Sequence, residues 1–105
     1  MWNKPTRKEL NAIPRLYSTE NITAKDKIIR MHFFLGSSDW LAVEFDGEDL
    51  FFGYVSLNDD KENAEWGYFS LSELADINFL GFQIDRDLYW QPVRAGDVSV
   101  LRGLI

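Results

Sequence analysis

The chain contains no cysteine. That excludes a disulfide framework, a thiol nucleophile and any zinc site built on thiolates. It fits a reducing compartment, so a cytoplasmic location is expected. No apolar run approaches the roughly 20 residues needed to span a bilayer. The opening MWNKPTRKEL has no apolar segment of the kind a signal peptide carries, so neither a membrane anchor nor a signal peptide is expected. Also missing are a Gly-rich phosphate loop, a paired-His metal motif and a nucleophile elbow. No catalytic set, metal or cofactor is therefore expected.

Positive charge is scarce in the middle of the chain. Residues 31–76 hold one base, Lys61, against eleven acids, whereas residues 1–30 hold seven bases against three acids. The net charge is -6. An acidic surface of this kind repels the phosphates of nucleic acid, so direct nucleic-acid binding is not expected. It can attract a basic protein or a cation, and it can also simply keep a hydrophobic sheet soluble.

Apolar material is plentiful. With 105 residues, 46% hydrophobic and 15% aromatic, the chain reads as one small domain, residues 1–105, whose large rings carry much of the core. Its centre is WLAVEFDGEDLFFGYVSL, residues 40–57, two alternating apolar segments joined by the turn residues Asp46, Gly47, Glu48 and Asp49. Strands are predicted at 27–35, 40–45, 50–57 and 64–69, with a fifth at 82–84. Capping-box patterns at Thr6/Glu9 and Ser70/Glu73 predict short helices running to about Ile13 and from Leu71 to about Ile77. Trp2 is expected to anchor the N-terminal leader, and Leu10 and Ile13 to face inward. The end of the chain, 95–105, suits either a short helix or a strand. The expected class is α+β, an antiparallel meander of four to five strands with short flanking helices.

Alternation sorts the strands into two faces. One is read as almost wholly apolar. The other is read as mixed, carrying Arg30, His32, Trp40, Glu44, Tyr54 and Glu65 among hydrophobics. The runs EWGYFSLSEL (65–74) and IDRDLYW (84–90), with DWLAVEFDGEDLFFGYV (39–55), resemble the bacterial family known as domain of unknown function 2958. The resemblance covers nearly the whole chain and implies a free-standing member. It implies no activity, catalytic residues or cofactor. It does imply an association with plasmids, phages and other mobile elements.

The mixed face supplies the candidate binding surface: His32, Trp40, Glu44, Tyr54 and Glu65. His32, the only histidine, could pair with Glu44 as a general base. Asp46, Glu48 and Asp49 offer oxygens to a hard cation but lack the spacing of a calcium loop, and read as a solvated turn. In Asp85-Arg86-Asp87, Arg86 could clamp an anion, or the flanking acids could neutralise it and pin a turn. The first functional reading is a protein-interaction module encoded on mobile elements, with a basic or nucleic-acid-binding protein as partner. The alternative is a small-ligand binder or enzyme with a pocket over His32, Glu44 and Tyr54. A third possibility is that the N-terminal helix, 6–13, covers the mixed face, its neighbours Arg7, Lys8 and Arg15 matching the acidic sheet.

Overall fold

The computed structural model describes residues 2–105. Helix α1, Arg7–Asn11, starts at a complete capping box. The Thr6 hydroxyl accepts the Glu9 amide at 3.2 Å, and the Glu9 carboxylate accepts the Thr6 amide at 2.9 Å. The helix stops at Ala12, short of the predicted Ile13, because Pro14 disfavours helical geometry in the residue before it. Leu10 and Ile13 are buried, as their spacing predicts. A 3-10 turn follows at Ala24–Asp26.

The predicted strand 27–35 is two pieces, β1 (Ile28–Ile29) and β2 (Met31–Leu35), broken at Arg30. Then come β3 (Ser38–Phe45), β4 (Leu50–Ser56), β5 (Glu65–Ser70) and α2 (Leu71–Asp76). Ser70 caps α2 by accepting the Glu73 amide. Two short strands, β6 (Asn78–Phe79) and β7 (Phe82–Gln83), precede β8 (Asp85–Arg86) and β9 (Val93–Arg94). Residues 95–105 hold two 3-10 turns, Ala95–Asp97 and Ser99–Leu101, instead of a regular helix or strand.

The main sheet is antiparallel with strand order β5-β4-β3-β2-β8. The predicted meander is present, and the fold is α+β. Its fifth strand is Asp85–Arg86, paired to β2, and not 82–84. Phe82–Gln83 pairs with β6 in a separate hairpin instead.

The register overturns the assignment of faces. β2 and β3 are joined by the two-residue turn Gly36-Ser37, so Leu35 pairs with Ser38, Phe33 with Trp40 and His32 with Leu41. Odd positions of β2 therefore share a face with even positions of β3. The same holds across β3 and β4, where Trp40 pairs with Val55 and Leu41 with Tyr54. Sorting each strand by hydropathy alone joined the wrong halves. A bulge at Val43 then shifts the register, so that Glu44 lies opposite Phe52 and Phe45 opposite Phe51. The strands approach so closely there that a Cβ on Gly53 would stand 1.9 Å from the Leu41 carbonyl oxygen, which makes glycine obligatory.

Both faces are covered. On the first, Phe33, Phe45, Phe51 and Phe69 pack ring to ring at 4.7–5.5 Å beneath α1, α2 and Ile84. Trp2 leans on this core, 6.0 Å from Phe33. On the second, Ile29, Leu41, Val43 and Tyr54 are capped by Ala95, Val98 and Leu101. The break at Arg30 lets Ile29 serve the second core and Met31 the first. The N-terminal helix thus packs on the side that carries Trp40, and the C-terminal turns cover the side that carries His32 and Tyr54, so the mixed face proposed for the helix is divided between the two covers.

Candidate functional site

The five residues read as one binding surface lie on both sides of the sheet. His32, Glu44 and Tyr54 are on the second face, while Trp40 and Glu65, which both flank Val55 in the register, are on the first. The three on the second face do not converge either. His32 shares its Nε2 with Asp39 Oδ1 at 2.6 Å, with Trp90 packed on its ring at 5.1 Å. Glu44 is buried and accepts the amides of Tyr17 at 2.8 Å and Thr19 at 3.0 Å, as well as the Thr19 hydroxyl. Tyr54 donates its hydroxyl to the Ala64 carbonyl at 3.2 Å, and burial followed by the Glu65 charge pushes its phenol up. The partner of His32 is therefore Asp39, two residues along the neighbouring strand's pairing from Leu41, and not Glu44.

Glu44 has a structural use. The loop at 15–20 turns back through Tyr17, which adopts a positive φ of 70°, and aims two amides at the carboxylate. Lys27 closes the loop from the other side by donating to the Thr19 carbonyl at 2.6 Å. A buried charge satisfied by several donors is stable, and this one fixes the chain crossing the bulge.

Asp85, Arg86 and Asp87 form a latch with the N-terminus. Arg86 Nη1 meets Glu9 Oε2 at 2.7 Å, and its Nε donates to the Asn3 carbonyl at 3.0 Å. Asp85 Oδ1 accepts both the Asn3 side-chain amide at 2.8 Å and the Arg86 amide at 2.8 Å. Burial would raise the Asp85 carboxyl, but these hydrogen bonds outweigh it and hold the group below the usual range. The flanking acids do not neutralise Arg86, contrary to expectation; Glu9 of α1 does. The Arg86 hydrogen bond, followed by that from the Thr6 amide, brings the Glu9 carboxyl down to about 2. The turn acids are equally committed: Asp46 Oδ1 accepts the amides of Glu48, Asp49 and Leu50, and Asp49 accepts the Ser72 amide and hydroxyl.

A larger concavity lies elsewhere. Beyond α2 the chain crosses Ile77 into the β6–β7 hairpin, whose tip stands away from the sheet. Between hairpin and sheet lies a groove of about 640 Å³ lined by Leu35, Trp40, Ile77, Phe79 and Phe82, with Ser38 and Asn58 at its edge. Trp40 is its floor, 8% exposed, while Phe79 and Phe82 are each 67% and Leu80 83% exposed. Asn58 also borders a smaller cleft, of about 290 Å³, formed with Val55, Leu57, Asp60, Asn63 and Glu65. The two share Asn58, and the second carries Asp60 and Glu65; the same loop also holds Asp59, Glu62 and Lys61. Of the predicted residues, Trp40 and Glu65 belong here. The hairpin was missed, although FLGF at 79–82 places large apolar residues at a tight turn, where polar ones are usual.

A family described as protein of unknown function DUF2958 matches residues 4–99 of the chain. The chain belongs to this family. The match runs from the leader to the start of the second C-terminal turn, so it includes the groove, the buried Glu44 and the Arg86–Glu9 pair of the latch, but not Asn3. Comparison with curated proteins and with solved structures gives no match. Among the described residues of this DUF2958 chain, no helix is long and apolar enough to cross a membrane, and no three histidine or acidic side chains gather to hold a metal ion.

Proposed function

We propose that this DUF2958 chain is a protein-interaction module that docks its partner in the Trp40 groove. The observation that carries the reading is the pair of phenylalanines, Phe79 and Phe82, held two-thirds exposed over an apolar floor. Exposed aromatic surface beside a concavity is the usual mark of a docking site. Burying one such ring stabilises a complex by about 1.5–3 kcal/mol.

The rim states the chemistry of the partner. Residues 57–65 carry four acids and one base, and Lys61 is already engaged with Asp59 at 3.2 Å. A fitting partner inserts a large apolar side chain and follows it with Lys or Arg. Proteins that bind nucleic acid present such basic surfaces, so the partner is of that kind, and an acidic module on a mobile element would occupy it.

The test is affinity capture with the wild-type chain beside Phe79→Ser/Phe82→Ser, each at low and high salt. A basic protein retained by the wild type, released by salt and absent from the variant supports the reading. If every retained protein is held equally by the variant, or none is retained at low salt, the reading fails.

A further inference from the structure

The main sheet has two edges, and the chain treats them differently. At one edge β8 is two residues long and carries the charges of Asp85 and Arg86. It is tied to the leader, since Arg86 Nε donates to the Asn3 carbonyl at 3.0 Å and Asp85 accepts the Asn3 amide at 3.1 Å. Short length, charge and a covering segment keep a strand edge from pairing with another chain. The opposite edge, β5, runs for six residues, EWGYFS, and holds no Lys, Arg or Pro. Its pairing with β4 is regular throughout, with no bulge. We propose that the β5 edge pairs antiparallel with β5 of a second copy of this chain, joining the two sheets into one.

The backbone carries the argument. The Leu71 amide donates to the Asp49 carbonyl, so the odd positions of β5 turn their N–H and C=O groups toward β4. Trp66 and Tyr68 therefore turn theirs outward, and no described residue takes them up. These donors and acceptors are self-complementary. About a two-fold axis at Gly67, Trp66 of each copy faces Tyr68 of the other, and each such pair exchanges both of its main-chain hydrogen bonds. Gly67 supports this register. Glycine weakens a strand interior, and in a regular strand it marks a place where another backbone approaches closely. Within one chain nothing asks for it, because no atom lies within 4 Å of where its Cβ would stand. In the paired edge it falls opposite its own copy, at the position where two strands come nearest.

The side chains fit a second copy as well. On the second face Trp66 and Tyr68 pack against Phe52 at 5.9 and 5.3 Å, and Tyr68 is 53% exposed. Across the axis each ring meets the other kind, an aromatic cross-strand pair of the sort that stabilises sheets. On the first face Glu65, the one charge in the strand, lies opposite Phe69 of the other copy. The two Glu65 side chains then stand roughly 13 Å apart along the strands, beyond the ~8 Å screening length at physiological salt. Because β8 is covered, the pairing closes at two chains.

The experiment is sedimentation equilibrium of the full chain over a range of concentrations, at low and high salt, with hydrogen exchange of the Trp66 and Tyr68 amides in the same samples. The mass should rise from 12.2 kDa to twice that value and no further, and the two amides should be protected only where the dimer is present. Each copy carries a net charge of -6, so salt should strengthen the pairing, the reverse of its effect on a basic partner in the Trp40 groove. Gly67→Asp sets two like charges face to face and should raise the dimer dissociation constant by about tenfold. Phe79→Ser/Phe82→Ser should leave it unchanged, which separates this pairing from docking in the groove. The wild-type measurement decides the matter even if Gly67→Asp folds poorly. The proposal is overturned by a chain that stays monomeric at every concentration and salt, by a dimer whose Trp66 and Tyr68 amides remain unprotected, or by masses that climb past two chains. A folded Gly67→Asp that dimerises as well as the wild type overturns the register centred on Gly67.

Discussion

The Trp40 side of the sheet is finished differently at its two ends. At the end where β3 passes into β4, α2 and Leu71 close over Phe45, Phe51 and Phe69, and none of these rings keeps more than a trace of exposed surface. At the end where β2 passes into β3, the cover is the β6–β7 hairpin, whose strands are two residues each. It is too short to lie flat on Trp40, and Phe79 and Phe82 stay largely in solvent. The same residue type thus has two employments within one face. Where a helix supplies a continuous apolar stripe, phenylalanine is core; where a tight turn supplies only a tip, phenylalanine is surface available to something else.

The largest test of this contrast is a pair of truncations. Phe51→Ala removes a fully buried ring touched by three others and should cost about 3–5 kcal/mol in urea unfolding. Phe79→Ala removes a ring that is mostly hydrated and should change stability by no more than about 0.5 kcal/mol. If Phe79→Ala is as damaging as Phe51→Ala, the hairpin is part of the core and the groove is not a docking surface.

A second contrast separates two glutamates that sequence placed together. Glu44 is buried among donors from the 15–20 loop, whereas Glu65 is exposed on the rim. Glu44→Gln exchanges an acceptor-only group for one carrying an extra donor, so the amides of Tyr17 and Thr19 lose part of their bonding. The expected cost is about 1–3 kcal/mol, with faster amide exchange confined first to residues 15–20. Glu65→Gln should stay within about 0.5 kcal/mol. Equal effects would mean that the loop is held by something other than the carboxylate.

These residues also show how far the sequence could be read. The strands, the capping boxes and the inward Leu10 and Ile13 were legible because each rests on local spacing. The faces were not, because which strand half joins which depends on turn length and on the bulge at Val43. Neither has a hydropathy signature. A turn of two or of four residues after Leu35 puts Phe33 and Trp40 on one face alike, a parity that sorting by hydropathy overrode, and the bulge at Val43 then reverses it for Glu44 and Phe45. The latch was half legible. Asp85, Arg86 and Asp87 were singled out, yet Arg86 finds its partner 77 positions away in Glu9. Contacts of that sequence separation leave no trace in a local pattern.

That latch gives the smallest expected effect, and it compares the N-terminal edge at two pH values. Glu9 is lowered to about 2 in the folded chain, by the Arg86 hydrogen bond first and the Thr6 amide next, from an ordinary value of 4.5. A carboxyl whose folded value is depressed adds stability above its unfolded value and loses it as pH falls through the folded one. The contribution should therefore be complete above about pH 5, shrink from pH 4.5 downward and vanish below about pH 2. Because the Glu9 side chain is 43% exposed, solvent screening limits it to under about 1 kcal/mol. Glu9→Gln keeps the capping geometry and removes only the charge. The difference in urea unfolding between the two chains should be present at pH 7 and nearly gone at pH 2. Asp46 and Asp85, also depressed, respond to acid in both chains and cancel in the subtraction. A difference that persists unchanged at pH 2 would show that Arg86 holds α1 through packing and not through the Glu9 charge.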